Sequence, residues 1–205
     1  MLYIYGAGKR SGLIKNLLVE IKSTEKFQLI DDNRFKSKKV LSKNYLLNNY
    51  NYLKDTILIA ISNPIKKCEV FNILRKKINL KLHEPLISPS ANIKKNSFIG
   101  KGSVIMDNAY ISQNVKIKRN CFVGIKTLIS HDSEISDFVD ISHNVSIAGN
   151  VKIKKNCYVG MGASVVQNLT IEENSFIGAK VLIKKNIKKN NKITLKQNLT
   201  RRLIK

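Results

Sequence analysis

The stretch Ile129 to Asn150 concentrates the side chains best able to move a proton. It holds two of the chain's three histidines, His131 and His143, and four carboxylates, Asp132, Glu134, Asp137 and Asp140. The whole chain has 14 acidic residues against 37 Lys and Arg, so this cluster is out of character with its surroundings. A neutral imidazole accepts a proton from an attacking amine or hydroxyl, and an adjacent carboxylate fixes its tautomer and steadies the imidazolium. His131 followed by Asp132 meets that requirement. Two histidines on a solvated face with no task are the plain alternative.

A second constellation lies at the amino terminus. Leu2 to Tyr5 is a short apolar run that stops at Gly6-Ala7-Gly8-Lys9-Arg10-Ser11-Gly12. A segment with Leu13, Ile14, Leu17, Leu18 and Ile21 on one helical face follows, then Phe27 to Ile30 and the acidic pair Asp31-Asp32. Strand, glycine turn, helix, strand and acidic end is the layout of a nucleotide-binding βαβ unit. Ser11 takes the third glycine position of the usual motif, so the context carries the reading more than the turn does. In the functional reading, backbone N–H groups after Gly6 and Gly8 hold a phosphate, Lys9 and Arg10 add charge, and Asp31 and Asp32 reach ribose or base. In the plain reading these residues only make a tight turn and end a strand. A further strand, Thr56 to Ile61, ends in Ser62-Asn63-Pro64, which places Asn63 in the same crevice. Cys68 to Lys77 reads as a helix, and Ser37 to Leu53 is ambiguous.

The element that must position His131 is a repeat. Cut into sixes from Ile87, all 17 blocks through Lys188 begin with Ile or Val, without insertion or slip. A small or apolar residue, such as Val115, Cys121, Val139 or Cys157, stands at the fifth place of most blocks. A helix repeats its apolar face every 3.6 residues and does not produce this period; a six-residue period is a β-solenoid signature. Three blocks per coil put His131 and His143, both third in their blocks, at different faces of a triangular prism. They therefore cannot converge on a metal within one chain, and no metal is expected. The predicted organisation is an α/β unit over residues 1–82, a solenoid over 83–188 and a C-terminal cap or tail over 189–205.

The net charge of +23 suits nucleic acid, an anionic membrane or phosphorylated small molecules. The lysines recur at fixed outward repeat positions with few aromatics between them, which argues against stacking on bases and against a nucleic-acid partner. No window approaches the ~20 apolar residues of a membrane span, so no membrane partner is expected. Glycines interrupt the short N-terminal apolar run, unlike a signal peptide. Cys121 and Cys157 fall on inward positions two coils apart, separated by ~10 Å at a coil spacing of ~4.8 Å. That is too far for a disulfide, and a reducing cytoplasm fits. Inward thiols are hard to deprotonate, so direct transfer assisted by His131 is favoured over a covalent cysteine intermediate.

With these motifs in place, the sequence resembles the left-handed β-helix, hexapeptide-repeat acyltransferases. It is similar in particular to bacterial sugar acetyltransferases of the sialic-acid O-acetyltransferase and UDP-4-amino-sugar N-acetyltransferase type. The resemblance rests on Tyr-Gly-Ala-Gly at 5–8, Ile-Asp-Asp-Asn at 30–33, Ser-Pro-Ser-Ala at 88–91, Ile-Ser-His-Asp at 129–132 and Ile-Ala-Gly-Asn-Val at 147–151. It implies an α/β Rossmann-like domain followed by a left-handed parallel β-helix, a homotrimer, and acetyl-CoA lying between neighbouring solenoids. His131 is the implied general base, Asp132 its acidic partner, and Gly149, Met161 and Ala179 the cofactor path. Asp140 takes the place of a second histidine that helps hold the acetyl group, and His143 follows three residues later; both join the implied cofactor contacts. The implied substrate is a nucleotide-linked (UDP-) amino sugar on Gly6, Gly8, Lys9, Arg10, Asp31, Asp32 and Asn63, acetylated on nitrogen for surface-glycan or glycoprotein sugars. O-acetylation of a sialic acid or related nonulosonate, and a non-catalytic solenoid that only binds partners, remain open alternatives.

Overall fold

The computed structural model describes residues 1–33 and 39–195. Most of the expected C-terminal cap, residues 196–205, lies outside the described residues, as does part of the ambiguous 37–53 segment.

The chain opens with a four-stranded parallel sheet. Strands β1 (Leu2–Tyr5), β2 (Phe27–Ile30), β3 (Val40–Leu41) and β4 (Thr56–Ile59) lie in the order β3-β2-β1-β4. Helix α1 (Lys9–Glu20) follows the glycine turn and buries Ile14, Leu17 and Leu18, the predicted face. The ambiguous segment contains a short helix, α2 (Lys43–Asn49), capped by the Ser42 hydroxyl. Helix α3 (Pro64–Lys77) starts four residues earlier than the sequence suggested. Asn63 accepts from the Lys66 N–H as its N-cap, and Pro64 sits where no donor is needed. This unit is smaller than the nucleotide-binding fold expected: four strands, one of only two residues, and three helices among the described residues.

From Leu86 the chain winds as a left-handed-type parallel β-solenoid of about six turns. Each block contributes a two-residue strand ending on its Ile or Val, and strands 18 residues apart pair in parallel, as Phe122–Val123 with Asp140–Ile141. Three flat faces result. The first carries Leu86–Ile87 through Lys192–Ile193, the second Asn92–Ile93 through Leu182–Ile183, and the third Phe98–Ile99 through Thr170–Ile171. The block-initial Ile and Val residues from Ile105 to Ile183 are at most 2% exposed and, with the fifth-position residues, form one continuous core. Polar fifth-position residues fit because their hydroxyls stay bonded between coils. Ser133 donates to the Ala148 carbonyl and accepts from the Val151 N–H, and Ser103 and Thr127 do likewise.

The corners carry the second rule of this repeat. In nearly every block the fourth residue has a left-handed backbone, φ between 53° and 73°, and it is mostly Asn: 96, 108, 114, 120, 144, 150, 156, 168 and 174. Asn tolerates this conformation better than other non-glycine residues. These asparagines also bond between coils, as Asn150 to Asn168 and Asn156 to Asn174. Phe138 is the exception, a bulky side chain at φ 61°. It is held there by burial: its ring lies 5.2 Å from that of Phe71 on α3 and belongs to the core of the N-terminal unit.

The N-terminal unit docks on the first face. Leu2, Ile4, Ile14 and Leu17 share a core with Leu86, Val104, Met106 and Phe122. At the centre of this contact Asp140, 0% exposed, receives Arg10 from α1 at 3.1 Å and faces Lys67 from α3 at 3.6 Å. Lys67 also donates to the Asn120 carbonyl. Burial depresses the Lys67 ammonium pKa, opposed by the Asp140 charge.

Candidate active site

His131 stands on the corner between the second and third faces. Its Nδ1 lies 2.8 Å from Asp132 Oδ2, and the other Asp132 oxygen accepts from Asn114 Nδ2 at 2.9 Å. Asn114, Asp132, Asn150 and Asn168 occupy the same corner position in successive coils, each with a left-handed backbone. The His–Asp pair is therefore a modified rung of the asparagine ladder. Asp keeps the turn conformation and the inter-coil bond, and adds a charge aimed at the imidazole. The bond from His131 comes first among the causes holding the Asp132 carboxyl below its usual range, followed by that from Asn114. With Nδ1–H bonded to Asp132, Nε2 is the proton-accepting nitrogen.

The ring rests on the next coil. Gly149 occupies the position 18 residues on, and a Cβ there would lie 2.6 Å from both Cε1 and Nε2 of His131. Only glycine leaves room for the imidazole in this pose. Ala148, Ser146 and Ser164 continue the small-residue surface along the second face, in a groove of about 590 Å³ walled by Leu128 and Val166. On the far edge of the same face, exposed Met161 and Ala179 stand in one column above His143. Gly149 on one corner and Met161 and Ala179 on the other thus border a single apolar face.

The N-terminal residues gather elsewhere. A cavity of about 570 Å³ is lined by Gly6, Gly8, Lys9, Arg10, Leu13, Asp31, Ala60, Ile61, Ser62 and His143. Asp31 shapes the glycine turn, accepting from the Ala7 N–H at 2.8 Å. Lys9 is exposed. Arg10 is turned toward Asp140, its guanidinium carbon 3.3 Å from the centre of the Phe122 ring, and its buried Nη1 has no hydrogen-bond partner among the described residues. Two predicted ligand residues are outside the lining. Asp32 is engaged by Tyr5 and by both the backbone N–H and ammonium of Lys43; burial opposes its ionisation, but these bonds hold its pKa low. Asn63 is occupied in capping α3.

Two cofactor expectations change. Asp140 has no exposed surface and is consumed by Arg10 and Lys67, so its carboxylate cannot reach a molecule on the solenoid surface; it is a docking residue. His143 faces the glycine-turn cavity. Its Nδ1 accepts from the Ile125 N–H at 3.0 Å, which leaves Nε2 to carry the proton in the neutral ring. Burial and then the Arg10 cation lower its pKa, partly offset by Asp140. His131 and His143 sit on different corners, as the coil arithmetic required. Cys121 and Cys157 are buried, and burial pushes both thiols up to about 12, leaving them unreactive.

The sequence reading missed two partners. Asn114 is recognisable only as Asp132 minus one coil, and Lys67 only once α3 is laid against Asp140. No helix among the described residues is long and apolar enough to cross a membrane.

Comparison by sequence finds no matching family model and no matching curated protein. The fold does match solved structures. WeeI from Acinetobacter baumannii AYE superposes with a TM-score of 0.85 at 22% identity, covering 94% of this chain and 95% of that one. The acetyltransferase domain of PglB from Neisseria gonorrhoeae FA1090 gives 0.81 at 24%, over 91% and 92%. PerB from Caulobacter crescentus, solved with CoA and GDP-perosamine, gives 0.81 at 17%, over 91% and 89%. The likeness is one of fold across nearly the whole length of each chain.

Proposed function

We propose that this chain is an acetyltransferase that moves acetyl from acetyl-CoA to the amine of a nucleotide-linked amino sugar, in the making of surface-glycan or glycoprotein sugars. The observation that carries the reading is the His131–Asp132 pair, 2.8 Å apart with Nε2 free, on the edge of a small-residue groove. Support comes also from PerB, which shares the fold and was solved holding CoA and a nucleotide-linked sugar.

Acetyl-CoA, when bound, supplies an activated acetyl thioester. The groove along Ser146, Ala148 and Ser164 has a floor of small side chains between Leu128, Val166 and Gln167, which suits an extended pantetheine chain. Met161 and Ala179, on the other edge, complete the donor path when a second solenoid lies against the face, as in a homotrimer. His131 Nε2 accepts the proton that the amine sheds as nitrogen attacks, and returns it to the departing sulfur. Asp132 holds Nδ1–H in place and stabilises the imidazolium between those events. The nucleotide diphosphate occupies the glycine-turn cavity over residues 1–82, against the N–H groups that open α1, with Lys9 adding charge. His143 Nε2–H donates to the ligand there. Since His131 lies on a different corner, the sugar reaches His131 of an adjacent subunit. A location in the cytoplasm, where both substrates are made, follows from this chemistry.

Thiol release from acetyl-CoA against a panel of UDP- and GDP-linked amino sugars and sialic acids tests the reading, with His131→Ala alongside. Turnover with an amino-sugar nucleotide, falling by roughly 10²–10⁴-fold in the variant, is the expected result. Absence of turnover with every acceptor sinks the enzyme reading. Turnover only with sialic acids moves the transfer to oxygen, and an undiminished variant removes His131 from the mechanism.

A further inference from the structure

A second cavity, about 780 Å³, lies at the other edge of the first face, where the end of α3 and the Leu80–Leu82 segment meet the corner between the third and first faces. The acetyl-transfer reading makes no use of it. Its volume is in the range of small-molecule sites, roughly 300–1,000 Å³, and its lining has a consistent chemistry. Phe98 from the solenoid is 60% exposed and Tyr52 from the N-terminal unit is 51% exposed, while Phe71 is buried at its base. Large aromatics left open to water in a concave site offer faces for a planar ring.

The charge is as one-sided as the aromatics. Arg75, Lys81, Lys101, Lys118 and Arg119 line the cavity against one carboxylate, Asp137, which Arg119 already engages at 3.0 Å. Lys101 and Lys118 are held by Glu84 and Glu134 in exposed pairs. Arg75 and Lys81 form no ion pair among the described residues and are exposed. Arg75, whose guanidinium carbon lies 5.8 Å from the centre of the Phe71 ring, and Lys81 are thus two cations without a carboxylate beside two open aromatic faces, which match a ligand with a flat heterocycle and a short polyanion. We infer that this groove binds a nucleoside diphosphate, its base on Phe98 and Tyr52 and its phosphates on Arg75 and Lys81. Because the walls come from both units, the ligand bridges them across the junction. The inference is independent of acetyl transfer.

The chain contains no tryptophan, so Phe98→Trp places its sole indole on the groove wall. ADP titrated into this variant should quench the emission saturably at submillimolar concentration, with pyrophosphate displacing it. Adding Arg75→Glu and Lys81→Glu should weaken the binding at least about tenfold without changing acetyl transfer. As a check that does not depend on the indole, ADP should raise the melting temperature of the wild-type chain more than that of Arg75→Glu/Lys81→Glu. No saturable quenching up to about 5 mM, or equal quenching and equal thermal shifts with and without the charge reversals, overturns the inference. Loss of acetyl transfer in the charge-reversed variant would instead show that this groove belongs to the acetyl-transfer site.

Discussion

Substituting Gly149 by Ala tests the placement of His131 without touching His131. A Cβ at 149 would stand 2.6 Å from Cε1 and Nε2 of the imidazole, against ordinary carbon contacts of roughly 3.5–4.0 Å. The ring must therefore retreat by about 1 Å, and a displacement of that size at a reacting centre costs on the order of 10²-fold in rate. The fold should not suffer, because the atoms that yield belong to a side chain free to rotate about its own bonds. Losing a glycine also removes unfolded-state freedom, about 0.4–1 kcal/mol in favour of folding. Gly124→Ala is the matched control. Its Cβ would also come to 2.6 Å, but from the carbonyl of Ser142 in the next coil, where backbone has nowhere to go. The expected pattern is a kcat/KM about 100-fold lower with an unchanged or raised melting temperature for Gly149→Ala. Gly124→Ala should lose about 1–3 kcal/mol of stability. Thiol-release kinetics and thermal denaturation read both. If Gly149→Ala keeps wild-type kcat/KM, the imidazole does not work from the position described here.

Other consequences are open to measurement. Asp140→Asn leaves Arg10 and Lys67 without their counter-charge in a buried contact, so chemical denaturation should show a loss of about 3–5 kcal/mol; adding Lys67→Met should recover part of it. Asn114→Gly removes the bond that orients Asp132 while keeping the left-handed turn, so kcat should fall by less than in His131→Ala, with the melting temperature little changed. His143 has a depressed pKa in the folded state, so the unfolded chain takes up its proton first. Stability should decline as pH falls below about 6.5, the ordinary histidine value, down to the folded pKa, and thermal denaturation of His143→Gln should lack that component. Tracking the histidine Cε1 resonances across the same range should show His143 titrating below 6.5.

The solenoid was legible because its period is rigid: an Ile or Val every sixth residue over 17 blocks admits one architecture. His131 and its distance from His143 followed from the same arithmetic. What stayed hidden depends on which face the N-terminal unit covers. Asp140, buried with Arg10 and Lys67, reads in the sequence like any outward block position, and only docking makes it interior. His143 changed sites for the same reason. The corner asparagines are plain in the sequence, but their left-handed backbone is a conformational demand that hydrophobic periodicity does not report. Asp32 and Asn63 stand at the right strand ends, yet local partners claim them first.

Strand pairing at 18-residue intervals makes the solenoid a ruler with fixed graduations. Deleting or adding six residues rotates everything downstream by one face, so the docked surface, the groove and the His–Asp rung would no longer match their neighbours. Only whole coils preserve the sides, and each shifts the downstream chain by about 4.8 Å. The separation between the glycine-turn cavity and His131 is therefore quantised. A homologous chain can fit a longer or shorter substrate by whole graduations, and anything finer must come from loops and side chains.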